Sequence, residues 1–274
     1  MAGFDERTVA TDADYLQAYD HGAHVTRWTH RGVPVVWVSE ASRYEEGTAI
    51  RGGIPVCWPW FAAGPRGDRS PSHGLARTRS WRLMAHEDTL LRWRLTHEDL
   101  DDDARAPFDA EFACTLTARL EPGCLEVSLE VSNTGGLELT YEAALHTYLH
   151  VGDVREISIE GLDGVAFYDK VQQREQTQAG AVRVGGAEDR VYSSPGPTRV
   201  LDPGLEREVH VSNTGAANTV IWNPGPDGAA GMDDFGDEEW TQMVCVEAAC
   251  VGSSAITLSA GQDHVMTSRI ELHA

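Results

Sequence analysis

Cys124-Leu-Glu-Val-Ser-Leu-Glu-Val-Ser-Asn133 alternates apolar and polar side chains with a period of two. Successive side chains of a strand point to opposite faces, so this segment reads as a strand with one buried and one polar face. The same signal recurs outward from it in both directions. Upstream stand Phe112 to Leu120, Leu90 to Thr96 and Ser80 to Met84. Before them come His24 to His30 and Val33 to Ser39, divided by the Arg31-Gly32 turn. Downstream, Glu138 to Val151, Val165 to Asp169, Arg190 to Tyr192, Glu208 to Ser212, Thr219 to Trp222, Met243 to Ala248 and His264 to Leu272 are strand-like. Pro122-Gly123 and Gly135-Gly136 are turn signals between neighbours. Many short strands at regular spacing predict an all-β sandwich or barrel. No amphipathic helical run competes and no Gly/Ser linker divides the chain. Residues 1–274 therefore read as a single domain of two large facing sheets. Residues 1–22 read as a lead-in, with one helical turn between Ala10 and Tyr19.

The composition narrows the function classes. Apolar residues make up 41% of the 274, enough for a large core. The formal net charge of −21 disfavours nucleic acid and anionic membrane surfaces as partners. No segment reaches the roughly eighteen apolar residues of a membrane helix. The acidic N-terminus lacks the apolar run of a signal peptide, so a cytoplasmic location is expected. The five cysteines are odd in number and contain no Cys-x-x-Cys pair, which argues against disulfides. Lys170 is the only lysine among 22 basic residues. The arginine bias reflects either a GC-rich genome or, beside acidic surface runs such as Asp99 to Asp103 and Asp233 to Glu239, a high-salt cytoplasm, which would screen self-repulsion.

Four constellations could carry chemistry. The stretch from Arg51 to Trp81, RGGIPVCWPWFAAGPRGDRSPSHGLARTRSW, is dense in glycine, proline and aromatics. It reads either as a long structural Ω-loop or as a substrate-binding arm of fixed, unusual backbone; Arg51 and Arg77, flanking His73, are either a clamp for phosphate or carboxylate or surface salt-bridge partners. In Ala143-Ala-Leu-His146-Thr-Tyr148-Leu-His150, period two puts both histidines and Tyr148 on one strand face. The residues allow a packed core histidine, an acid/base or a metal ligand, but no third ligand lies at a recognised spacing, so no metal is expected. Glu247 ends the apolar run Met243 to Val246 and would be raised in pKa by burial, which suits a general base. The alternative is a strand-end glutamate reaching solvent. Asp189, before the strand Arg190 to Tyr192, could accept sugar hydroxyls or merely end a turn; the Trp222-Asn223-Pro224 turn is a site rim or only a tight loop.

Taken in order, RGGIPVCWPWF, SHGLAR, ALHTYL, DRVY, VIWNP and MVCVEA resemble the glucose-6-phosphate 1-epimerases, or hexose-6-phosphate mutarotases, of the aldose 1-epimerase superfamily. The resemblance spans about residue 20 to 270. It implies the galactose-mutarotase-like β-supersandwich, a small-molecule sugar phosphate as partner, no cofactor and no metal; a monomer is expected. It also implies a role at each matching position. His146 and Glu247 would be catalytic, Arg51 and Arg77 would bind the phosphate, and Asp189 would bind the sugar. Ser72 stands where some members have glutamine and His73 would line the pocket; the shorter Ser72 loses an amide. The implied reaction has Glu247 take the anomeric proton and His146 donate to the ring oxygen, opening and reclosing the ring. Two other readings remain open on residues alone: a catalytically silent sugar-binding sandwich, and a glycoside hydrolase or lyase pairing Glu247 with Asp189.

Overall fold

The structure, a computed structural model, describes residues 4–273. It is built from two eight-stranded sheets, a four-stranded N-terminal sheet and a two-stranded ribbon, all strand pairs antiparallel. The segment Cys124–Asn133 lies inside one eight-stranded sheet, between Phe112–Glu121 and Asp263–His273. Its alternation is physical: Leu125, Val127, Leu129 and Val131 are at most 1% exposed, while Glu130 faces solvent. Gly123 makes the hairpin that pairs Glu121 with Cys124, with a φ of +67° that suits glycine.

The second large sheet carries the site. Its order is Arg174–Thr177, Ala166–Asp169, Glu188–Tyr192, Asn218–Asn223, Met243–Cys250, Ala143–Leu145 and Val56–Cys57, and Tyr148–His150 also pairs with Met243–Cys250. Met243–Cys250 is buried along its whole length, on both faces, so its sequence is a continuous apolar run rather than an alternating one. Glu247 is the one ionisable carboxylate in that run.

Two sequence expectations are corrected. Residues 1–22 hold no helical turn among the described residues: Glu6–Ala10 and Asp14–Tyr19 form a β-hairpin that pairs on to His24–His30. Leu16 and Ala18 are fully buried and alternate with half-exposed neighbours. Asp14 ties the hairpin down by accepting from Trp28 Nε1 (3.1 Å), His30 Nδ1 (2.9 Å) and the Gly123 amide (3.0 Å). Second, Glu138 to Val151 is not one strand but three, Leu139–Tyr141, Ala143–Leu145 and Tyr148–His150. The breaks fall at Glu142, whose amide donates to the Pro59 carbonyl at 3.0 Å, and at His146-Thr147, where the Thr147 amide turns back to the Leu145 carbonyl at 2.9 Å. All five cysteines are free and buried, and none of the described helices is long and apolar enough to cross a membrane.

Candidate active site

The register of the second sheet lays its functional side chains in two rows on one face. The Lys170 amide donates to the Asp189 carbonyl at 2.8 Å, Asp189 pairs with Trp222, Trp222 with Cys245, and Cys245 with Tyr148. One step of two residues further along each strand stand Val191, Val220, Glu247 and His146, with Val220 paired to Glu247. Directly opposed residues share a face, so both rows point the same way. Arg51 closes the end beyond Tyr148, donating from Nη1 to the Tyr148 hydroxyl at 3.3 Å.

The loop Arg51–Trp81 folds over this face. Gly74 is demanded there: its φ is +79°, and a Cβ would come within 2.1 Å of the Trp58 carbonyl, an oxygen that accepts from the Leu75 and Ala76 amides. Glu142 anchors the next bend by accepting from the Phe61 amide (3.0 Å) and the Gly252 amide (2.7 Å). The result is a cavity of 300 Å³ lined by Arg51, Ser72, His73, Arg77, His146, Asp189 and Glu247, together with Phe61, Lys170, Trp222 and Met232. The seven residues singled out in the sequence, which lie on distant segments, therefore share one cavity. Larger hollows exist, such as one of 470 Å³ next door, but none of them brings His146 and Glu247 together.

Glu247 is fully buried and neither carboxyl oxygen has a hydrogen-bond donor among the described residues. His146 Nε2 stands 3.5 Å from its Oε1. Burial, with Asp189 adding to it, pushes the Glu247 carboxyl well above its ordinary value, while Lys170 and Arg77 pull the other way. His146 is stacked on Tyr148 at 4.8 Å and edge-on to Trp222 at 5.8 Å, and its Nδ1 is also without a partner. Burial, then the neighbouring His73 ring and the charges of Arg77 and Arg51, push this imidazole well below its ordinary value. His73 takes a positive φ of 65° and its Nδ1 accepts from the Ala62 amide at 3.3 Å, which leaves the proton on Nε2. Burial and the nearby cations push His73 down to about 2, so it is a neutral wall of the cavity. A buried acid and a buried base without protein partners are costly to fold and are characteristic of reactive sites.

Three cations surround this pair, in different states. Arg51 is engaged by Asp234, through Nε at 3.2 Å and Nη2 at 3.2 Å. Burial opposes its charge, but Tyr148 and Asp234 more than offset that and hold it cationic. Lys170 lies 3.4 Å from Asp189. Arg77, on the 3₁₀ turn Ala76–Thr78, makes no ion pair among the described residues and donates only to the Ser72 carbonyl at 2.9 Å. Ser72 thus enters through its backbone, and its exposed side chain does not replace a glutamine amide. His150 leaves the site altogether: its carbonyl accepts from Arg207 at 2.7 Å, away from the cavity.

A metal set was not legible in the sequence, yet His146, Cys245 and Glu247 bring potential ligand atoms within 4.8 Å of one another. The chemistry of that set fits a cation poorly. Burial, reinforced by Glu247, pushes the Cys245 thiol well above its ordinary value, and Arg51, Arg77 and Lys170 line the same space. Sequence reasoning missed Asp234, which sat in an acidic run read as surface, and Lys170, whose signal was its being the sole lysine.

A family model described as aldose 1-epimerase matches residues 11–271. The chain belongs to the aldose 1-epimerase family. Membership makes it an enzyme, an epimerase, and discards the reading as a glycoside hydrolase or lyase. It is 37% identical over 234 residues to an Escherichia coli (strain K12) protein named "Putative glucose-6-phosphate 1-epimerase", covering 83% of this chain and 77% of that one. A Cenchrus ciliaris protein of the same name is 32% identical over 90% of this chain and 78% of its own length. A crystal structure described as a putative mutarotase from Salmonella typhimurium superposes with a TM-score of 0.88 at 29% identity, over 99% of this chain and 91% of that one. A galactose mutarotase-like protein from Lactobacillus casei shares the fold at a TM-score of 0.79 and 14% identity, covering 98% of this chain and all of its own. This family member therefore has the galactose-mutarotase-like sandwich that the resemblance implied.

Proposed function

We propose that this enzyme interconverts the α and β anomers of a hexose 6-phosphate, with Glu247 and His146 as the acid–base pair. The observation that carries the reading is the buried, unpartnered Glu247 carboxyl 3.5 Å from His146, in a cavity with three cations at its walls. The names of the relatives support the phosphorylated sugar as substrate.

The pair shares one proton. In the free enzyme the directions of titration favour Glu247 as its holder and a neutral His146. Two cations that disfavour the imidazolium are Arg77 and Arg51. A phosphate dianion bound by those guanidiniums offsets their charge, so substrate binding itself favours transfer of the proton to His146. Glu247 then removes the proton from the anomeric hydroxyl while His146 gives one to the ring oxygen, and the ring opens to the aldehyde. Rotation about the bond to the carbonyl carbon presents its other face, and reclosure returns both protons. Each positioned group is typically worth about 10²–10⁴-fold, and the reaction proceeds slowly in water without help. Asp189 accepts a sugar hydroxyl, and Phe61, His73 and Trp222 form the apolar walls.

Anomer-exchange NMR on glucose 6-phosphate, galactose 6-phosphate and free glucose tests the reading. Fastest exchange is expected on a phosphorylated hexose, abolished in Glu247→Gln and His146→Asn. Near wild-type exchange in both variants would show that the pair does not carry the chemistry.

A further inference from the structure

In a chain with 22 basic residues, the single lysine stands in the catalytic cavity. Lys170 follows the strand Ala166–Asp169, whose Phe167 and Asp169 are buried on the opposite face. The Lys170 amide is held by the Asp189 carbonyl, so the two side chains emerge as cross-strand neighbours. Nζ lies 3.4 Å from Asp189 Oδ2 and 4.8 Å from the centre of the Phe61 ring, with 31% of the side chain exposed. An ordinary structural ion pair in this chain uses arginine, as Arg190 does with Glu188 at 2.7 Å. What lysine supplies is a compact charge with three rotatable donors.

Its place along the cavity matters as much as its charge. From Lys170 the register runs through Asp189, Trp222 and Cys245 to Tyr148, where Arg51 begins. That is four strand spacings, roughly 19 Å at about 4.8 Å each. Glu247 lies one strand short of the Arg51 end, and His146 stands beside Tyr148 at that end. Lys170 and Arg51 therefore face opposite ends of a bound hexose 6-phosphate.

We propose that Lys170 is a specificity-determining residue that, together with Asp189, reads one ring hydroxyl at the end of the sugar remote from the phosphate. The hydroxyl donates to the Asp189 carboxylate and accepts from the Lys170 ammonium, which an axial and an equatorial epimer cannot both do in the same pose. The inference rests on the mutarotase reading. It differs from a third phosphate contact in a measurable way, because a hydroxyl is present on free and phosphorylated sugars alike.

Lys170→Met is expected to raise KM by about 10- to 100-fold, the loss of one charge-assisted hydrogen bond, equally for glucose 6-phosphate and free glucose. Among glucose 6-phosphates deoxygenated singly at each ring position remote from the phosphate, one should show no further loss in the variant. A loss confined to the phosphorylated sugar overturns the proposal in favour of a phosphate contact, and an unchanged KM in an active variant overturns it outright. A wild-type enzyme inactive on all these sugars would instead sink the mutarotase reading. Because the chain has one lysine, wild-type protein labelled with ¹⁵N-lysine gives a single side-chain ammonium signal, independent of any variant's folding. That signal should move with glucose 6-phosphate or glucose and stay still with inorganic phosphate; the reverse pattern refutes hydroxyl recognition.

Discussion

Replacing Glu247 with methionine should inactivate the enzyme and make it more stable. The carboxyl is fully buried and neither oxygen receives a hydrogen bond from the described residues. A buried polar group left without a partner costs about 1–3 kcal/mol. Methionine fills nearly the same volume with an adaptable apolar chain, so a gain of about 1–3 kcal/mol follows. At roughly 2–4 °C per kcal/mol for a domain of this class, the melting temperature should rise by roughly 2–12 °C. The gain should also depend on pH. Folded Glu247 keeps its proton well above the ordinary carboxyl value of 4.5. Above that value the native state binds more protons than the unfolded chain, so wild-type stability falls as pH rises towards the folded value. Methionine does not titrate, and its advantage should widen between about pH 5 and about pH 8. Thermal unfolding by calorimetry at the two pH values, with anomer exchange measured alongside, is the assay. A variant that melts below wild type, or an advantage that shrinks with rising pH, refutes the picture of an uncompensated carboxyl held for chemistry.

Three further outcomes are expected. Arg77 makes no ion pair among the described residues, so Arg77→Met should raise KM for a hexose 6-phosphate about 10- to 100-fold while leaving free hexose nearly unchanged; equal losses on both would remove it from the phosphate site. Asp234 holds Arg51 along one edge, and its carboxylate, partly screened by solvent, repels an arriving dianion. Asp234→Asn keeps an acceptor for Nε and should lower KM for the phosphorylated sugar a few-fold, whereas a raised KM would mean that Asp234 is needed to position Arg51. Finally, kcat/KM for free glucose, which reports the unliganded enzyme and involves no titrating phosphate, should have its acid limb below the ordinary imidazole value and its alkaline limb above the ordinary carboxyl value, since His146 is displaced downward and Glu247 upward. A pH–rate profile with its acid limb centred near 6.5 would contradict that proton arrangement.

Local pattern made the all-β class legible without coordinates. The alternation in Cys124–Asn133 and the Pro122-Gly123 turn depend only on neighbours along the chain, and both were realised as read. Asp14–Tyr19 was misread because a buried small residue, Ala18, hides half of a short period-two signal. His146 and Glu247 could be named as candidates because a charged or titratable residue inside an apolar run is conspicuous by itself.

Charge pairing could not be read that way. Asp234 and Arg51 are 183 positions apart and meet only because the sheet brings Tyr148 beside the loop that carries Asp234. The same holds for the 3.5 Å approach of His146 to Glu247, which the pairing of Tyr148 with Cys245 sets. By itself the sequence determined that strands would form, which residues were chemically unusual, and that the protein would be strongly acidic. The tertiary structure decided that, among the described residues, Arg77 in the cavity makes no ion pair and Glu247 receives no donor, and that the only lysine faces the same cavity. Strand propensity is set by a residue and its near neighbours, whereas an electrostatic environment is set by groups whose distances exist only once the sheet register is closed.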